Sequence, residues 1–163
     1  MKRQPTPNQL LLDQQLCFAL YAASRSVTGL YRPLLEPLGL TYPQYLVMLV
    51  LWESAALSVG EVGDRLLLDS GTLTPLLKRL EAAGLVKRQR DPDDERRVIV
   101  DLTVAGRRLK AKARAVPEAL ACRLLIEPLD AMRLRQDLRA LLAVLNDAAA
   151  GGSSVTRKKV NSR

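Results

Sequence analysis

Between Leu57 and Thr103 the chain reads LSVGEVGDRLLLDSGTLTPLLKRLEAAGLVKRQRDPDDERRVIVDLT, a run whose start, stop and turn signals leave few ways to fold it. Ser58-Val59-Gly60-Glu61 is a capping box: a hydroxyl at the cap and a glutamate three residues on satisfy two orphan amides reciprocally. It predicts a short helix ending near Leu67. A second helix is expected after Asp69-Ser70-Gly71, because Leu73, Leu76, Leu77 and Leu80 fall on one face at helical spacing. Gly84 ends it where a left-handed residue is least costly. Lys87-Arg88-Gln89-Arg90 then leads into the polar turn Asp91-Pro92-Asp93-Asp94-Glu95, and Val98, Val100 and Leu102 alternate along the return, as in a hairpin. Helix, helix and basic hairpin together predict a winged helix-turn-helix.

The exposed face of the second helix carries groups that suit duplex DNA. Ser70, Thr72 and Thr74 offer short hydroxyls to base edges or phosphates near its start, and Lys78 and Arg79 follow one turn later. Pro75 is best tolerated near the first turn, where amides are still unpaired. On the hairpin, Arg88 and Arg90 lead toward a tip that ends in Arg96 and Arg97, and such arginines suit the negative potential of a narrow minor groove. The bland alternative is an amphipathic helical hairpin with a solvated loop, which leaves the agreement of these signals unexplained.

The remainder supplies a helical frame in a chain of 163 residues. A long helix is expected from Asn8 to about Leu35, with Leu12, Leu16, Leu20, Ala23, Val27, Leu30 and Leu34 as its apolar stripe and Pro33 near its end. Thr41-Tyr42-Pro43-Gln44 is a second capping box and starts a helix reaching about Glu53. Val104 to Ile126 reads as helix bent at Pro117, and Glu127-Pro128 opens a last helix carrying Leu129, Met132, Leu138, Leu141, Leu142 and Leu145. The fold class is thus mainly α: a winged helix-turn-helix at about 41–103, flanked by dimerisation helices at about 9–36 and 104–148. Helices this apolar outside a compact reading head need a partner. A two-fold dimer would also set two reading heads one DNA turn apart, ~34–36 Å. Packing of these helices within a monomer is the alternative. Residues 1–8 and 151–163 carry no such periodicity and are expected to be disordered. The last thirteen residues hold Arg157, Lys158, Lys159 and Arg163 and no acid, half of the net charge of +8. That excess of cations favours a polyanionic partner. No apolar run approaches the ~20 residues of a membrane span, and Met1-Lys2-Arg3-Gln4-Pro5 does not open a signal peptide, so no membrane partner and a cytoplasmic location are expected.

Absences narrow the chemistry. The chain has no histidine, which removes Ser-His-Asp and Cys-His catalysis and the common zinc sites. Two cysteines without CxxC spacing cannot make a four-ligand metal site, and no glycine-rich phosphate loop is present. Neither an enzyme, a metal nor a cofactor is expected. Cys17 and Cys122 remain as candidates for reactive chemistry, although a lone helical cysteine is ordinarily a small buried hydrophobe. Tyr21 and Ser24 continue the strip of helix that Cys17 begins. A phenol can donate a hydrogen bond to a thiolate, but Cys17 is expected too deep in its helix for the N-terminal dipole to help. Tyr31 lies fourteen residues on, ~21 Å along one straight helix, so it could meet Cys17 only from a second subunit.

These residues resemble the MarR family of winged-helix repressors, and within it the organic hydroperoxide resistance (OhrR) subgroup. The general resemblance covers about residues 10 to 147 and rests on LTPLLKRLEAAGLVKRQRDPDDERRVIVDLT; the subgroup resemblance rests on LDQQLCFALYAASRSVTGLYRPLLEPLGLTYPQYLVMLVLWE, from Leu12 to Glu53. It implies a homodimer with a β-wing that holds a palindromic duplex operator and represses a peroxidase gene. It implies that organic hydroperoxides oxidise Cys17 to a sulfenic acid beside Tyr31 and Tyr42 of the partner subunit. Cys122 stands where two-cysteine members carry the residue that closes an intersubunit disulfide. Arg96 and Asp94 match the wing-tip arginine and the acid that orients it. Two other readings stay open at this stage: a MarR-type repressor released by a small aromatic ligand, and a thiol peroxidase that binds DNA incidentally.

Overall fold

A computed structural model describes residues 10–54 and 56–155, with side chains through Ala148. The described chain falls into two compact units divided between Leu124 and Leu125. In the first, a short 3-10 turn at Leu12–Gln14 precedes helix α1, Leu16–Leu35. The expectation of one helix from Asn8 is corrected here among the described residues, because Gln15 is extended (φ −89°, ψ 113°) and caps α1. Pro33 does not stop α1; the chain turns instead through Glu36–Leu38 and left-handed Gly39. Helix α2, Tyr42–Glu53, opens on its capping box, the Thr41 amide and hydroxyl donating to Gln44 Oε1 at 2.8 and 3.0 Å.

Helix α3 spans Val59–Leu66 and α4 spans Ser70–Ala82. At the head of α3 the Ser58 amide donates to Glu61 Oε2 at 2.7 Å, and the Glu61 amide donates back to Ser58 Oγ at 3.2 Å. Leu67 ends α3 in the left-handed region, at φ 55°, which turns the chain toward α4. Gly84, at φ 70°, follows α4 as its glycine predicts. Strands β2, Val86–Arg90, and β3, Val98–Leu102, pair antiparallel from Val86 opposite Leu102 to Arg90 opposite Val98. A third strand, β1 at Leu57–Ser58, pairs with β3 on its other side. Two residues are too few for alternation to reveal in a sequence.

The core joins these pieces. Leu73, Leu77 and Leu80 of α4 are buried with Val47, Met48 and Leu51 of α2, Val62 of α3, and Val86 and Val100 of the wing. Leu76, expected on the same face, is half-buried. Beyond the wing the single bent helix expected from Val104 is two: α5, Val104–Ala113, and α6, Val116–Leu124. The break precedes Pro117, which occupies the first turn of α6, where its missing amide costs nothing. Trp52 ties α2 to α5, its Nε1–H donating to the Gly106 carbonyl at 2.9 Å.

The second unit is helix α7, Pro128–Val155. It passes the boundary expected at Gly151, since residues 151–155 continue the helical backbone. Residues 1–9 and 156–163 lie outside the described residues. No single helix among those described is long and apolar enough to cross a membrane.

Candidate DNA interface and thiol sites

Helix α4 presents the predicted groups, with differences in what they are free to do. Asp69 caps it: the Thr72 amide donates to Asp69 Oδ1 at 2.9 Å and the Thr72 hydroxyl to Oδ2 at 2.8 Å. These bonds hold the Asp69 carboxyl below its ordinary range, so an anion sits at the helix start. The hydroxyl proton of Thr72 is therefore spent inside the cap, and that of Thr74 goes to the Ser70 carbonyl at 2.6 Å. Both oxygens keep lone pairs for donors on a base edge. Ser70, Lys78 and Arg79 are exposed. Pro75 is the sixth residue of α4, past the first turn, so the Gly71 carbonyl receives no amide from it.

On the wing, Arg96 is the most projecting cation, with a side chain 91% exposed. Its backbone amide and its Nε both donate to Asp94 Oδ1 at 3.1 Å, which fixes the root of the side chain while the guanidinium fork stays in solvent. Those bonds also lower the Asp94 carboxyl. Arg97 pairs with Glu61 of α3 at 3.5 Å and with Asp91 at 3.9 Å. Arg90 is exposed at the end of β2. Between wing and α4 runs an open groove of about 540 Å³ lined by Ser58, Gly60, Thr74, Arg88, Arg96 and Arg97. Its cations suit a phosphate backbone. Arg88 differs from its neighbours, because Glu81 at the end of α4 holds it.

The thiol residues fall in two places. Cys17 is the second residue of α1 and is exposed, so the expectation that it lies deep in its helix is corrected. Amides of a first turn have no carbonyl one turn before them, and the helix dipole there favours negative charge. Tyr21, one turn on, accepts from Arg25 at 3.0 Å and lies under its guanidinium, 5.6 Å from the ring centre. It is not part of the tyrosine cluster. That cluster joins Tyr31 to Tyr42 with ring centres 4.6 Å apart and to Tyr45 at 5.8 Å, and Trp52 stands 6.2 Å beyond Tyr45. Burial, then the neighbouring phenols, push the Tyr31 hydroxyl up to about 12, and burial raises Tyr42 and Tyr45 too. The phenols therefore remain donors throughout the neutral range. An open cavity of about 530 Å³, lined by Thr28, Arg32, Glu36, Leu40 and Tyr42, adjoins the cluster. Cys122 is exposed on α6, which packs against α1. Among the described residues no group of His, Cys, Asp or Glu could hold a metal ion.

Three residues take roles that the sequence reading did not assign, although it named Asp69 as the lead into the second helix. Asp69 had a signal, an aspartate just before an apolar-periodic run. Tyr45, three residues after Tyr42, had one in its helical spacing. Glu81 had none, since a pair seven residues apart across a turn has no periodicity to betray it.

Residues 29–113 match the family described as Transcriptional regulator SarA/Rot. The chain is 61% identical over 109 residues to the HTH-type transcriptional regulator TtmR of Methylorubrum extorquens (strain PA1), covering 67% of this chain and 56% of that relative. It is 53% identical over 110 residues to the organic hydroperoxide resistance transcriptional regulator of Bacillus subtilis (strain 168), covering 68% of this chain and 75% of the relative. Among solved structures it is similar to AbfR of Staphylococcus epidermidis. Reduced AbfR bound to DNA superimposes with a TM-score of 0.69 at 39% identity over 84% of this chain and 95% of that one. A disulfide form of AbfR matches at 0.58 and 41%, over 82% and 94%. By its winged helix-turn-helix and these relatives, the chain belongs to the SarA/Rot family of transcriptional regulators, DNA-binding proteins of the MarR type, and is of the organic hydroperoxide regulator kind.

Proposed function

We propose that this regulator is a homodimeric repressor which holds a palindromic operator when reduced and leaves it when an organic hydroperoxide oxidises Cys17. The observation that carries the reading is the position of Cys17: exposed, in the first turn of α1, on the same helix as Tyr31 but fourteen residues before it. One helix holds them ~21 Å apart, so only a second subunit can bring the tyrosines to the thiol. Neutral phenols at Tyr31 and Tyr42 donate hydrogen bonds to the thiolate and to the leaving oxygen, and the cavity beside Tyr42 admits the peroxide.

The reaction balances without a cofactor. The Cys17 thiolate attacks the terminal peroxide oxygen; an S–O bond forms, the O–O bond breaks, and the alkoxide leaves as an alcohol after taking a proton. Sulfur has lost the two electrons that the peroxide gained. Cys122 of the partner subunit then attacks the sulfenic sulfur as thiolate, forming S–S and expelling hydroxide, which is protonated to water. A disulfide needs Cα atoms within ~4.4–6.8 Å, so helices bearing the two cysteines move if they start further apart. The reading heads then lose register with successive major grooves. Ser70, Thr72, Thr74, Lys78, Arg79, Arg90 and Arg96 are the residues we assign to the DNA.

The test is fluorescence anisotropy of reduced protein on its own upstream DNA, before and after one equivalent of cumene hydroperoxide per thiol. Binding is expected to be lost and restored by dithiothreitol. Cys17→Ser is expected to bind as wild type and ignore peroxide, whereas Cys122→Ser still responds but forms no intersubunit disulfide on a non-reducing gel. Peroxide release that survives Cys17→Ser would sink the thiol switch. A second reading has its own observation, a small cleft of about 170 Å³ between α2 and α5 lined by Tyr45, Leu49, Trp52, Glu53, Lys110 and Arg114, two cations to one carboxylate. Aromatic walls and two cations suit a small aromatic anion, and release by salicylate in the Cys17→Ser variant would favour it.

A further inference from the structure

Arg88 sits among DNA-facing cations and yet is not spent like them. It is the third residue of β2, on the face that buries Val86, and its side chain is 25% exposed, against 91% for Arg96. Its Nε and Nη2 both donate to Glu81 Oε2, at 2.9 and 2.5 Å. Its own backbone N–H donates to the other carboxylate oxygen, Oε1, at 3.1 Å. The sheet order β1-β3-β2 makes β2 an edge strand, with β3 on one side only. An outward amide on such an edge has no strand partner, and here the Glu81 carboxylate takes its place. One carboxylate thus binds strand backbone and guanidinium together, in charge-assisted bonds of fixed geometry. Glu81 belongs to the last turn of α4, so the bonds join the recognition helix directly to the wing. Arg88 holds the Glu81 carboxyl below its usual range, as a lasting pair requires.

We propose that Glu81 and Arg88 form a brace that fixes the angle between wing and recognition helix, so that Arg88 serves operator binding as a positioning residue and not as a phosphate contact. Base edges and minor groove are then met together only when α4 and the Arg96 tip are held at one spacing. Without the brace the core leucines still anchor α4, but the edge strand turns about its remaining pairing with β3. Arg96 then arrives with a spread of positions, and each productive one costs entropy.

The brace and the phosphate contact give opposite expectations for reduced full-length protein on its operator. A phosphate contact by Arg88 predicts that Arg88→Gln lowers the slope of log K against log salt by about 0.9. It predicts that Arg88→Lys, which keeps the charge, binds nearly as wild type. It also predicts that Glu81→Gln binds at least as tightly, because an acid near DNA is gone and the arginine is freed. The brace predicts that Glu81→Gln, Arg88→Gln and Arg88→Lys each weaken binding about three- to tenfold at an unchanged salt slope. It predicts further that the Glu81→Gln/Arg88→Gln double variant is no worse than either single one. Melting temperatures and circular dichroism of each variant separate the brace from loss of fold. Weaker binding by protein that is still fully folded at the assay temperature supports it, whatever the shift in melting temperature; wild-type affinity in all three variants overturns it, as does tighter binding by Glu81→Gln. All measurements use reduced protein, so failure of the thiol switch leaves the outcome unaffected.

Discussion

Gly106 stands where α5 leaves the wing, and the backbone there has no room for a side chain. A Cβ at this position would lie 2.1 Å from the Leu85 carbonyl oxygen and 3.2 Å from a Leu102 methyl. That carbonyl cannot retreat, since it already accepts the Thr103 amide at 3.0 Å, and the Thr103 hydroxyl caps α5 by accepting from the Gly106 amide at 3.0 Å. The Gly106 carbonyl in turn holds Trp52. Gly106→Ala is therefore expected to destabilise the protein by about 2–3 kcal/mol through forced backbone movement, measured by urea denaturation. A loss under ~0.5 kcal/mol would show that the approach is loose. Nothing in the sequence marked this glycine, because close approach depends on Leu85, far back along the chain. Cys17 teaches the same lesson in reverse. Its residue type drew attention, but its place in the first turn of α1 follows from the extended Gln15 before it, and no capping residue there announced a start. Single residues declare their chemistry in sequence; their neighbours across the fold they do not.

At the scale of elements, most of the reading head was legible because its signals are local. Both capping boxes formed, Gly84 ended α4, and the alternation of Val98, Val100 and Leu102 became β3. What failed was a matter of joints: the start of α1, the split of α5 from α6, and the two-residue strand β1 depend on packing, which periodicity does not encode. Carboxylates fix the helix starts, the wing tip and two of the joints. Asp69 caps α4, Glu61 caps α3 and meets Arg97, Glu81 holds Arg88, and Asp94 holds Arg96. All four are held below their ordinary values, chiefly by these hydrogen bonds. In the unfolded chain such groups titrate near ~4. The stability they confer is thus fully present above that value and is lost as pH falls through the depressed folded values. Tyr31, pushed up to about 12, acts on the other side: its neutral form is favoured, so the fold weakens as pH rises from ~10 toward that value. With no histidine in the chain, no side chain has its ordinary titration at about pH 6.5. Melting temperature is expected to be flat from about pH 5.5 to 8 and to fall below ~4.5 and above ~10. Glu81→Gln should make the acid limb shallower; an acid limb of unchanged slope would mean that the pair contributes nothing to folding.

For the molecule as a whole, the deciding surface is the one that this single chain leaves uncovered. On α7, Leu134, Leu138, Leu142 and Leu145 are exposed and recur at intervals of four, four and three residues, one continuous stripe. Leu12 and Leu16 are exposed at the head of α1, beside Cys17. Burying a leucine side chain from water is worth ~1.5–3 kcal/mol, and a two-fold interface counts each residue twice. Such stripes are costly on a monomer and are what a stable dimer consumes. The same pairing is needed twice over by the proposed function, once to present two recognition helices to one operator and once to bring Tyr31 of one subunit to Cys17 of the other. Leu138→Asp combined with Leu142→Asp would place four carboxylates in that interface, where burial without partners is prohibitive. Light scattering is expected to show a monomer. Operator affinity should fall at least a hundredfold, because two linked half-sites bind ~10²–10⁴ more tightly than one. The monomer should also react more slowly with cumene hydroperoxide, because the proposed pocket takes its phenols from the partner. A variant that stays dimeric would move the interface elsewhere. A monomer that keeps wild-type peroxide reactivity would show that Cys17 needs no second subunit, and the intersubunit tyrosine pocket would have to be abandoned while the DNA-binding head stood as described.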